Sequence, residues 1–459
     1  MDVNEVLKLV DRLIFSKTDK HLDDLQEAIL RSSLQNEKYS KIAEEFNCTE
    51  GHVKDIASEL WKVLSEILGE NVSKSNFRST MKRCQISIVS SKLAKDFVGI
   101  KNINFCQKPL QPPEVSQDRS HHPKTQISLE DAPDISPFFG RSEELNQLEK
   151  AIAQQHSRLV TILGISGIGK TALTLQLLEQ IKDKFDYVIW RSLHSNPLLE
   201  ELQTNLIQFF SNQPENGLKL NSNLAQLIEY LRKHRCLIIL DDVHSIFSKG
   251  QLAGCYENGY ENYGELFKKL GEIHHQSCLV LLSWDKPREV AKLEAENRQV
   301  CCLELLGLDL RSAKEILREK RLVEEEKWQE LIEKYQGNPL WLKIIATMIQ
   351  DLFGGRVGEF VKYDHLLLNE DLKDVLFQEC DRLSDIEKQI ICSIAEETEA
   401  VAISQILSHL QLPASDLINA MQSLGRRSLI CKITQGNETL FNLQPVVKQY
   451  VKMQFSNRQ

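Results

Sequence analysis

The sequence predicts an α/β domain built on a parallel sheet, flanked by an all-helical N-terminal domain and a helix-rich C-terminal region. From Phe138 onward, short apolar runs alternate with stretches of helical periodicity, the pattern of a parallel sheet covered by helices. Residues 1 to about 85 have helical periodicity throughout. Residues after about 308 are predicted to form helices with one hairpin, SLICKITQGNETLFNL, that turns at Gly436 and Asn437.

Length and composition are those of a multidomain globular protein. The chain has 459 residues, about three times a typical domain of roughly 150 residues, so three or four domains are expected. Its hydrophobic content is 42%, and no apolar run reaches the roughly 18 residues of a membrane helix. The N-terminal stretch is too acidic for a signal peptide. These features predict a cytoplasmic protein that does not engage a membrane.

Cysteine spacing and net charge argue against two further kinds of site. The 11 cysteines include no CxxC pair, and the spacing of Cys301 and Cys302 is wrong for a local metal clip. They are expected to be reduced thiols, most of which fill cores. A net charge of -9 gives no global attraction for nucleic acid or for an anionic membrane.

Residues 1–95 are predicted to form a helical domain that contains a helix-turn-helix. YSKIAEEFNCTEGHVKDIASELWKVL has the spacing of a short helix, a turn at Asn47 to Gly51 and a longer helix. The domain is predicted to be an adaptor that docks a protein partner or itself, with Trp61 in its core. Residues 96–136, rich in Pro, Ser, His and Gln, are predicted to be a flexible linker.

Charge argues against DNA binding by this helix-turn-helix. Residues 1–85 hold 13 Lys and Arg against 15 Asp and Glu. Phosphate neutralisation supplies most non-specific affinity for DNA, so this surface is expected to be repelled. The stretch 71–101 is basic, with Asp96 as its one acidic residue. A solvated basic face or linker is the preferred interpretation there, and a DNA-contacting face is the alternative.

A phosphate-binding loop is predicted where the strand RLVTILGI meets the helix that follows it. Gly164-Ile-Ser-Gly-Ile-Gly-Lys-Thr171 fits GxxxxGK[ST] at every fixed position; a chance glycine-rich helix start is the alternative. The glycines let backbone amides wrap around phosphates, and the helix N-terminus adds partial positive charge. Lys170 is predicted to reach the β and γ phosphates, and Thr171 to ligate Mg2+. The predicted binding residues in this segment are Gly164, Ser166, Gly167, Ile168, Gly169, Lys170, Thr171 and Ala172.

A second motif supplies carboxylates beside this loop. CLIILDDV, 236–243, is predicted to be a buried strand that ends in two aspartates, as a Walker B element does. Asp241 is predicted to lie on the metal side. Asp242 is the candidate for positioning the attacking water, and a simple turn-forming role is the alternative. Together the two motifs predict a P-loop domain that binds a purine nucleoside diphosphate or triphosphate with Mg2+.

With these motifs in hand, further stretches resemble the NB-ARC branch of the STAND class of signalling ATPases. FFGR at 138–141 resembles the motif that enters the nucleotide domain, and GLDLRSAKEIL at 307–317 and GNPLWL at 337–342 resemble the motifs of the helical lid. The resemblance covers about 137–455. The first 85 residues are similar to the N-terminal helix-turn-helix of cyanobacterial proteins of this class, of the vWA-MoxR-associated-protein kind.

The resemblance implies an order of domains and further contacts. It implies a nucleotide-binding domain at 137–300, a helical lid at 301–360 and a winged-helix domain at 361–459. It puts Phe139, Gly140 and Arg141 near the adenine and ribose, and Pro339 against the adenine, although a proline also suits a plain helix start. A histidine that contacts the β phosphate in many relatives aligns with Gln444.

One departure from the family pattern concerns the γ phosphate. The strand SCLVLLSW ends where the family usually has an arginine that senses the γ phosphate, and the aligned residue here is Trp284. A tryptophan supplies no cation, so ATP sensing and hydrolysis are expected to be weak. Arg141 and Arg191 are the other cations considered for that role.

The predicted function is that of a nucleotide-dependent switch in signal transduction that binds ADP and is at most a slow ATPase. Relatives usually carry a repeat array as sensor after the winged helix, so a separate sensor protein or input through the N-terminus is expected. The alternative is an ATP-responsive DNA-binding regulator, which salt-dependent DNA binding would identify. A small-molecule kinase is a weaker alternative, because nothing after the loop resembles a substrate lid with arginine clamps.

Overall fold

A computed structural model of the chain describes Val10, Phe46, Phe77 and the ranges 22–34, 48–68, 125–134, 137–211, 223–296, 299–363, 366–436 and 438–455. The chain forms two compact units, Met1–Gln117 and Asp118–Gln459. No helix in these ranges is long and apolar enough to cross a membrane.

The first unit has a small helical core. Helix α1 spans Asp24–Leu34 and α2 spans Glu50–Leu68, where the Thr49 hydroxyl accepts a hydrogen bond from the His52 N–H (3.3 Å), as an N-cap residue does. The ring of Trp61 lies 5.2 Å from that of Phe77 and packs against the core, as predicted. The fully buried core residues are Val10, Ile29, Leu30, Val53, Leu64 and Phe77. The predicted short helix before α2 and most of 71–101 lie outside the described residues.

The second unit is built on the predicted parallel sheet, which is confirmed. Six strands lie in the order β1-β3-β4-β5-β2-β6, and every pair is parallel. Apolar side chains alternate along β4, where Leu237 and Ile239 join one core and Ile238 and Leu240 join the other. Both faces of the sheet are therefore covered. The strands are β1 (Gln126–Ser128), β2 (Leu159–Leu163), β3 (Tyr187–Ser192), β4 (Cys236–Asp241), β5 (Cys278–Ser283) and β6 (Val300–Glu304).

The two edge strands differ from the expectations drawn from sequence. Strand β1 lies within the segment assigned to the flexible linker, where Gln126 pairs with Tyr187. Its three residues are too few to show a period, which is why composition alone suggested a linker. Strand β6 crosses the expected boundary at residue 300, and Leu159 pairs with Val300. The segment predicted to be the helical lid therefore begins within a sixth strand.

Helices cover the sheet and then form the C-terminal part of the unit. Those around the sheet are α3 (Ser142–Glu149, continued by a π-helical turn Lys150–Gln154), α4 (Lys170–Ile181), α5 (Leu199–Ser211), α6 (Asn223–Lys233), α7 (Asn262–Glu272) and α8 (Arg288–Glu296). The next four are α9 (Leu310–Glu319), α10 (Trp328–Lys334), α11 (Pro339–Phe353) and α12 (Val357–Val361). The last five are α13 (Glu370–Asp381), α14 (Asp385–Glu396), α15 (Ile403–Leu410), α16 (Ala414–Arg426) and α17 (Pro445–Phe455).

A small antiparallel sheet accompanies the last five helices. Strands β7 (Val401–Ala402), β8 (Ile430–Gln435) and β9 (Glu438–Leu443) lie in the order β7-β9-β8. The predicted hairpin is confirmed, because Gln435 pairs with Glu438 across a turn in which Gly436 has a φ of 64°. Only glycine adopts that conformation freely. The winged-helix assignment of this region stays a prediction.

Candidate phosphate-binding site

The phosphate loop connects β2 to α4 in a conformation that depends on glycine. Gly164, Gly167 and Gly169 have φ values of 144°, 71° and 103°, in the left-handed region that side chains disfavour. A Cβ at Gly167 would also overlap the Leu340 side chain. Because α4 begins at Lys170, directly after the last glycine, the unpaired amides of its first turn lie next to the loop, as an anion site requires.

Lys170 lies in this loop with its ammonium buried. Its Nζ donates to the carbonyl oxygens of Gly164 (2.8 Å) and Ile165 (3.1 Å). Burial lowers its pKa to about 8, although Glu379 and the Asp241–Asp242 pair act in the opposite direction. Within the described ranges its hydrogen bonds go to backbone carbonyls, and a buried cation held in this way is a ready partner for phosphate oxygens.

Thr171 and Asp241 meet as a Mg2+ site requires. The Thr171 hydroxyl donates to Asp241 Oδ2 (3.0 Å), and the Asp242 N–H donates to Asp241 Oδ1 (2.8 Å). Burial raises the pKa of Asp241 to about 6, and the charge of Asp242 adds to the effect. A hydroxyl and a carboxylate are hard oxygen ligands, so this pair fits Mg2+.

Asp242 has a strained backbone beside the predicted metal ligands. Its φ is 55°, in the left-handed region, where Asp is among the few tolerated side chains. Its Oδ2 accepts a hydrogen bond from the Ser192 hydroxyl (3.3 Å) at the end of the neighbouring strand β3. Strain of this kind often marks functional sites. The water-positioning role of Asp242 stays a prediction.

A cavity of about 370 Å³ brings most of the predicted residues together. The predicted residues in its lining are Phe139, Arg141, Ser166, Gly167, Ile168, Gly169, Lys170, Thr171, Ala172, Asp241, Asp242 and Pro339. Phe138, Leu308, Ile316 and Leu340 add apolar surface. Charged groups beside an apolar wall suit a ligand that has both phosphates and a base.

Two residues of the FFGR motif make close contacts within the protein. Arg141 is buried, and its Nη2 donates to the carbonyl oxygens of Ile168 (3.1 Å) and Leu306 (2.6 Å). It therefore ties the phosphate loop to the segment after β6. Gly140 is not part of the lining; its φ is 70°, and a Cβ there would overlap Ser312. Gly140 thus permits a close approach to α9.

The start of α11 also forms hydrogen bonds with the phosphate loop. Asn338 caps the helix by accepting hydrogen bonds from the N–H groups of Leu340 and Trp341, and its Nδ2 donates to Ser166 O (3.2 Å). The Leu340 N–H donates to Gly167 O (3.3 Å). Pro339 lies in the first turn of α11 and also lines the cavity, so it is both a helix start and part of the cavity wall.

Trp284 lies where a γ-phosphate cation was expected. It follows β5, lines the same cavity as Lys170, and stacks on His244 with ring centroids 3.8 Å apart and an interplanar angle of 14°. Arg191 is absent from that lining. Its guanidinium donates instead to Asn205 Oδ1 (2.7 Å) and to Ser128 Oγ (3.0 Å) at the sheet edge.

Gln444 does not line the cavity that Lys170 lines, and its predicted contact with the β phosphate stays a prediction. It lies at the end of β9 and lines a different cavity, together with Glu304, Leu305 and Lys286. The phosphate-loop residue Ile165 lines that cavity as well.

The C-terminal region contacts the loop through Glu379. Its Oε1 accepts a hydrogen bond from the Ser166 N–H. Burial raises the pKa of Glu379 to about 7, although that N–H and Lys170 favour the ionised form. Sequence reasoning missed this residue. A signal was present, because Glu379 follows Leu372 and Leu376 on the apolar stripe of α13, an unusual position for a carboxylate.

Comparisons with known proteins agree with this geometry. Residues 1–84 match the family model of the vWA-MoxR associated protein N-terminal HTH, and residues 141–258 match that of the NB-ARC domain. Over 348 residues the chain is 38% identical to an uncharacterized WD repeat-containing protein of Nostoc sp., covering 72% of this chain and 27% of the relative. Over 283 residues it is 25% identical to disease resistance protein RRS1 of Arabidopsis thaliana, covering 56% of this chain and 19% of the relative.

Among solved structures, a Walker-type ATPase of Pyrococcus abyssi is similar with a TM-score of 0.45 and 19% identity, covering 69% of this chain and 96% of that one. The chain thus spans about a quarter of the length of the Nostoc relative and about a fifth of the Arabidopsis one. Residues 141–258, which contain the phosphate loop, thus match the NB-ARC domain, and residues 1–84 match the N-terminal HTH of vWA-MoxR associated proteins.

Proposed function

We propose that the protein is a nucleotide-dependent molecular switch in signal transduction. It binds ADP or ATP with Mg2+ at the phosphate loop and hydrolyses ATP slowly or not at all. The observation that carries this proposal is the grouping of Lys170, Thr171 and Asp241 on a loop that two other segments also contact, α11 through Asn338 and α13 through Glu379. A nucleotide on this loop therefore touches the elements whose positions it would change.

Each side chain has a defined part in binding. The loop amides and Lys170 hold the phosphates, and Thr171 and Asp241 hold Mg2+, which neutralises phosphate charge when bound. Phe139 and Pro339 lie against the base and sugar, on the apolar part of the lining. Lys170 exchanges its two carbonyl partners for phosphate oxygens, which restores charge pairing to a buried cation.

Weak hydrolysis follows from what surrounds the phosphates. Trp284 offers an indole N–H and no charge, so the charge that develops during phosphoryl transfer lacks a partner from β5. Asp242 is the proposed water-positioning group. Its N–H donates to one oxygen of the Asp241 carboxylate, and the Thr171 hydroxyl donates to the other. The nucleotide then acts mainly as a structural ligand.

Signal input and output are proposed from the two ends of the arrangement. The Nostoc relative is a WD repeat-containing protein, which supports a repeat-bearing sensor as the source of input. The N-terminal helical unit is proposed to dock a protein partner. The excess of acidic over basic residues in 1–85 makes DNA an unfavourable ligand for this stretch. The cytoplasm is the proposed site of action.

Lys170→Ala tests the binding proposal. We expect the affinity for ADP and for ATP to fall at least about tenfold, or about 1.4 kcal/mol, because a charge-assisted contact is lost. Isothermal titration calorimetry with Mg2+ measures both ligands. Lys182→Ala is the matched control, since Lys182 lies at the other end of α4 and pairs with Glu179 at the surface. Equal affinities for wild type and Lys170→Ala would remove Lys170 from the site.

A further inference from the structure

Glu379 occupies a hydrogen-bond donor of the phosphate loop. The residue is 6% exposed on α13, and its Oε1 accepts from the Ser166 N–H. Its Oε2 has no hydrogen-bond partner within the described part of the chain. The amides of such a loop are the donors that bound phosphate oxygens use. A carboxylate of the C-terminal region therefore stands where an anionic ligand is otherwise held.

The charge of Glu379 interacts with that of Lys170, the residue predicted to contact the outer phosphates. Lys170 and Arg382 favour its ionised form, whereas Asp285 opposes it. Lys170 donates to Gly164 O and Ile165 O, so its attraction to Glu379 acts through space. In phosphate loops this lysine reaches the β and γ phosphates. The charge of Glu379 thus acts on the region where a third phosphate would add its own.

We propose that Glu379 is a specificity-determining residue that lets the site hold a nucleoside diphosphate and disfavours a nucleoside triphosphate. The inference rests on the proposed function and names the ligand that the same site prefers. A third phosphate must either displace the carboxylate from the Ser166 N–H or lie beside a buried like charge, and both are unfavourable. A diphosphate leaves the contact between Glu379 and Ser166 in place.

Glu379→Gln separates charge from shape. Glutamine has the same length and keeps an oxygen that accepts from the Ser166 N–H, but it carries no charge. We expect wild type to bind ADP more tightly than ATP, and we expect the ratio of the two affinities to shift toward ATP by about tenfold or more in Glu379→Gln, the scale of a close charge contact. Calorimetric titration of the full chain with Mg2+ at about pH 8, where the carboxylate is ionised, measures the ratio.

Controls keep the outcomes distinct. Glu370→Gln removes an exposed carboxylate from the same helix and is expected to leave the ratio unchanged. If Glu379→Gln does not fold, Glu379→Ala takes its place, with the same expected shift. An unchanged ratio of ADP to ATP affinity in a folded Glu379 variant overturns the inference. If ATP hydrolysis is also lost at that unchanged ratio, Glu379 acts as a base instead. If wild type binds neither nucleotide, the proposed function itself fails, and this inference with it.

Discussion

Trp284 and His244 form a stacked pair beside the phosphate loop. The ring centroids are 3.8 Å apart, and the buried His244 Nδ1 has no hydrogen-bond partner among the described residues. Burial lowers the pKa of His244 well below its usual range, and the charge of Arg382 adds to this, so the imidazole is neutral at physiological pH. At this position the site presents two flat, uncharged rings.

Replacing Trp284 with arginine should restore a γ-phosphate contact. We expect Trp284→Arg to raise the affinity for ATP relative to ADP, and to raise hydrolysis if Asp242 positions the water, because a missing cation of this kind can cost about 10^3-fold in rate. Single-turnover hydrolysis and nucleotide titration measure the two effects. Trp284→Phe is the control, since it keeps a ring against His244.

Two other results would change this interpretation. If Trp284→Arg lowers the thermal midpoint without changing nucleotide preference, Trp284 serves only to fill the space against His244. Robust ATP hydrolysis by the wild type would show that another cation acts on the γ phosphate. Arg141 would then be the first candidate, because it lines the cavity, whereas Arg191 does not.

At the scale of elements, buried ion pairs join the end of β5 to the C-terminal helices. Asp285 Oδ2 lies 2.9 Å from Arg382 Nη2, at the end of α13, and 3.0 Å from Arg427 Nη1, at the end of α16. Arg427 Nε lies 3.1 Å from Glu387 Oε1 on α14. All four side chains are buried. This network fixes α13, and with it Glu379, relative to the sheet.

Arg427→Met should therefore destabilise the second unit. Removal of one member leaves the carboxylates of Asp285 and Glu387 buried with fewer partners, which typically costs about 3 to 5 kcal/mol. Chemical denaturation followed by circular dichroism measures the loss. The control is Arg318→Met, because Arg318 pairs with Glu315 and Glu325 at the surface and its replacement should change stability far less. Equal losses in both variants would contradict a structural role for the network.

Sequence patterns predicted some of these elements and missed others for physical reasons. Strands β2, β4 and β5 are almost continuous apolar runs buried on both faces, so hydropathy alone reveals them. Strand β1 has only three residues and belongs to the sheet edge. The ion network was invisible, because Arg382 and Arg427 lie 97 and 142 residues from Asp285 in the chain. Local periodicity carries no information about such pairs.

At the scale of the whole molecule, three distant segments of the second unit converge on one loop. Arg141 contacts it from before α3, Asn338 from the start of α11, and Glu379 from α13. The loop motif, Asp241 and Asn338's neighbour Pro339 were predictable, because each belongs to a short motif with its own chemistry. The contact of Glu379 with Ser166 was not predictable, because it spans 213 residues and no motif marks it, although the apolar stripe of α13 sets Glu379 apart. A ligand bound to the loop would alter the contacts that all three segments make with it.

The nucleotide that the protein retains tests this account most directly. Purified chain is incubated with equal amounts of ADP and ATP and with Mg2+, separated from free nucleotide and denatured, and the released nucleotide is identified by chromatography. We expect a stoichiometric amount of purine nucleotide with ADP in excess, and almost none from Lys170→Ala. Nucleotide-free wild type, or equal amounts from wild type and Lys170→Ala, would contradict a nucleotide switch centred on this loop.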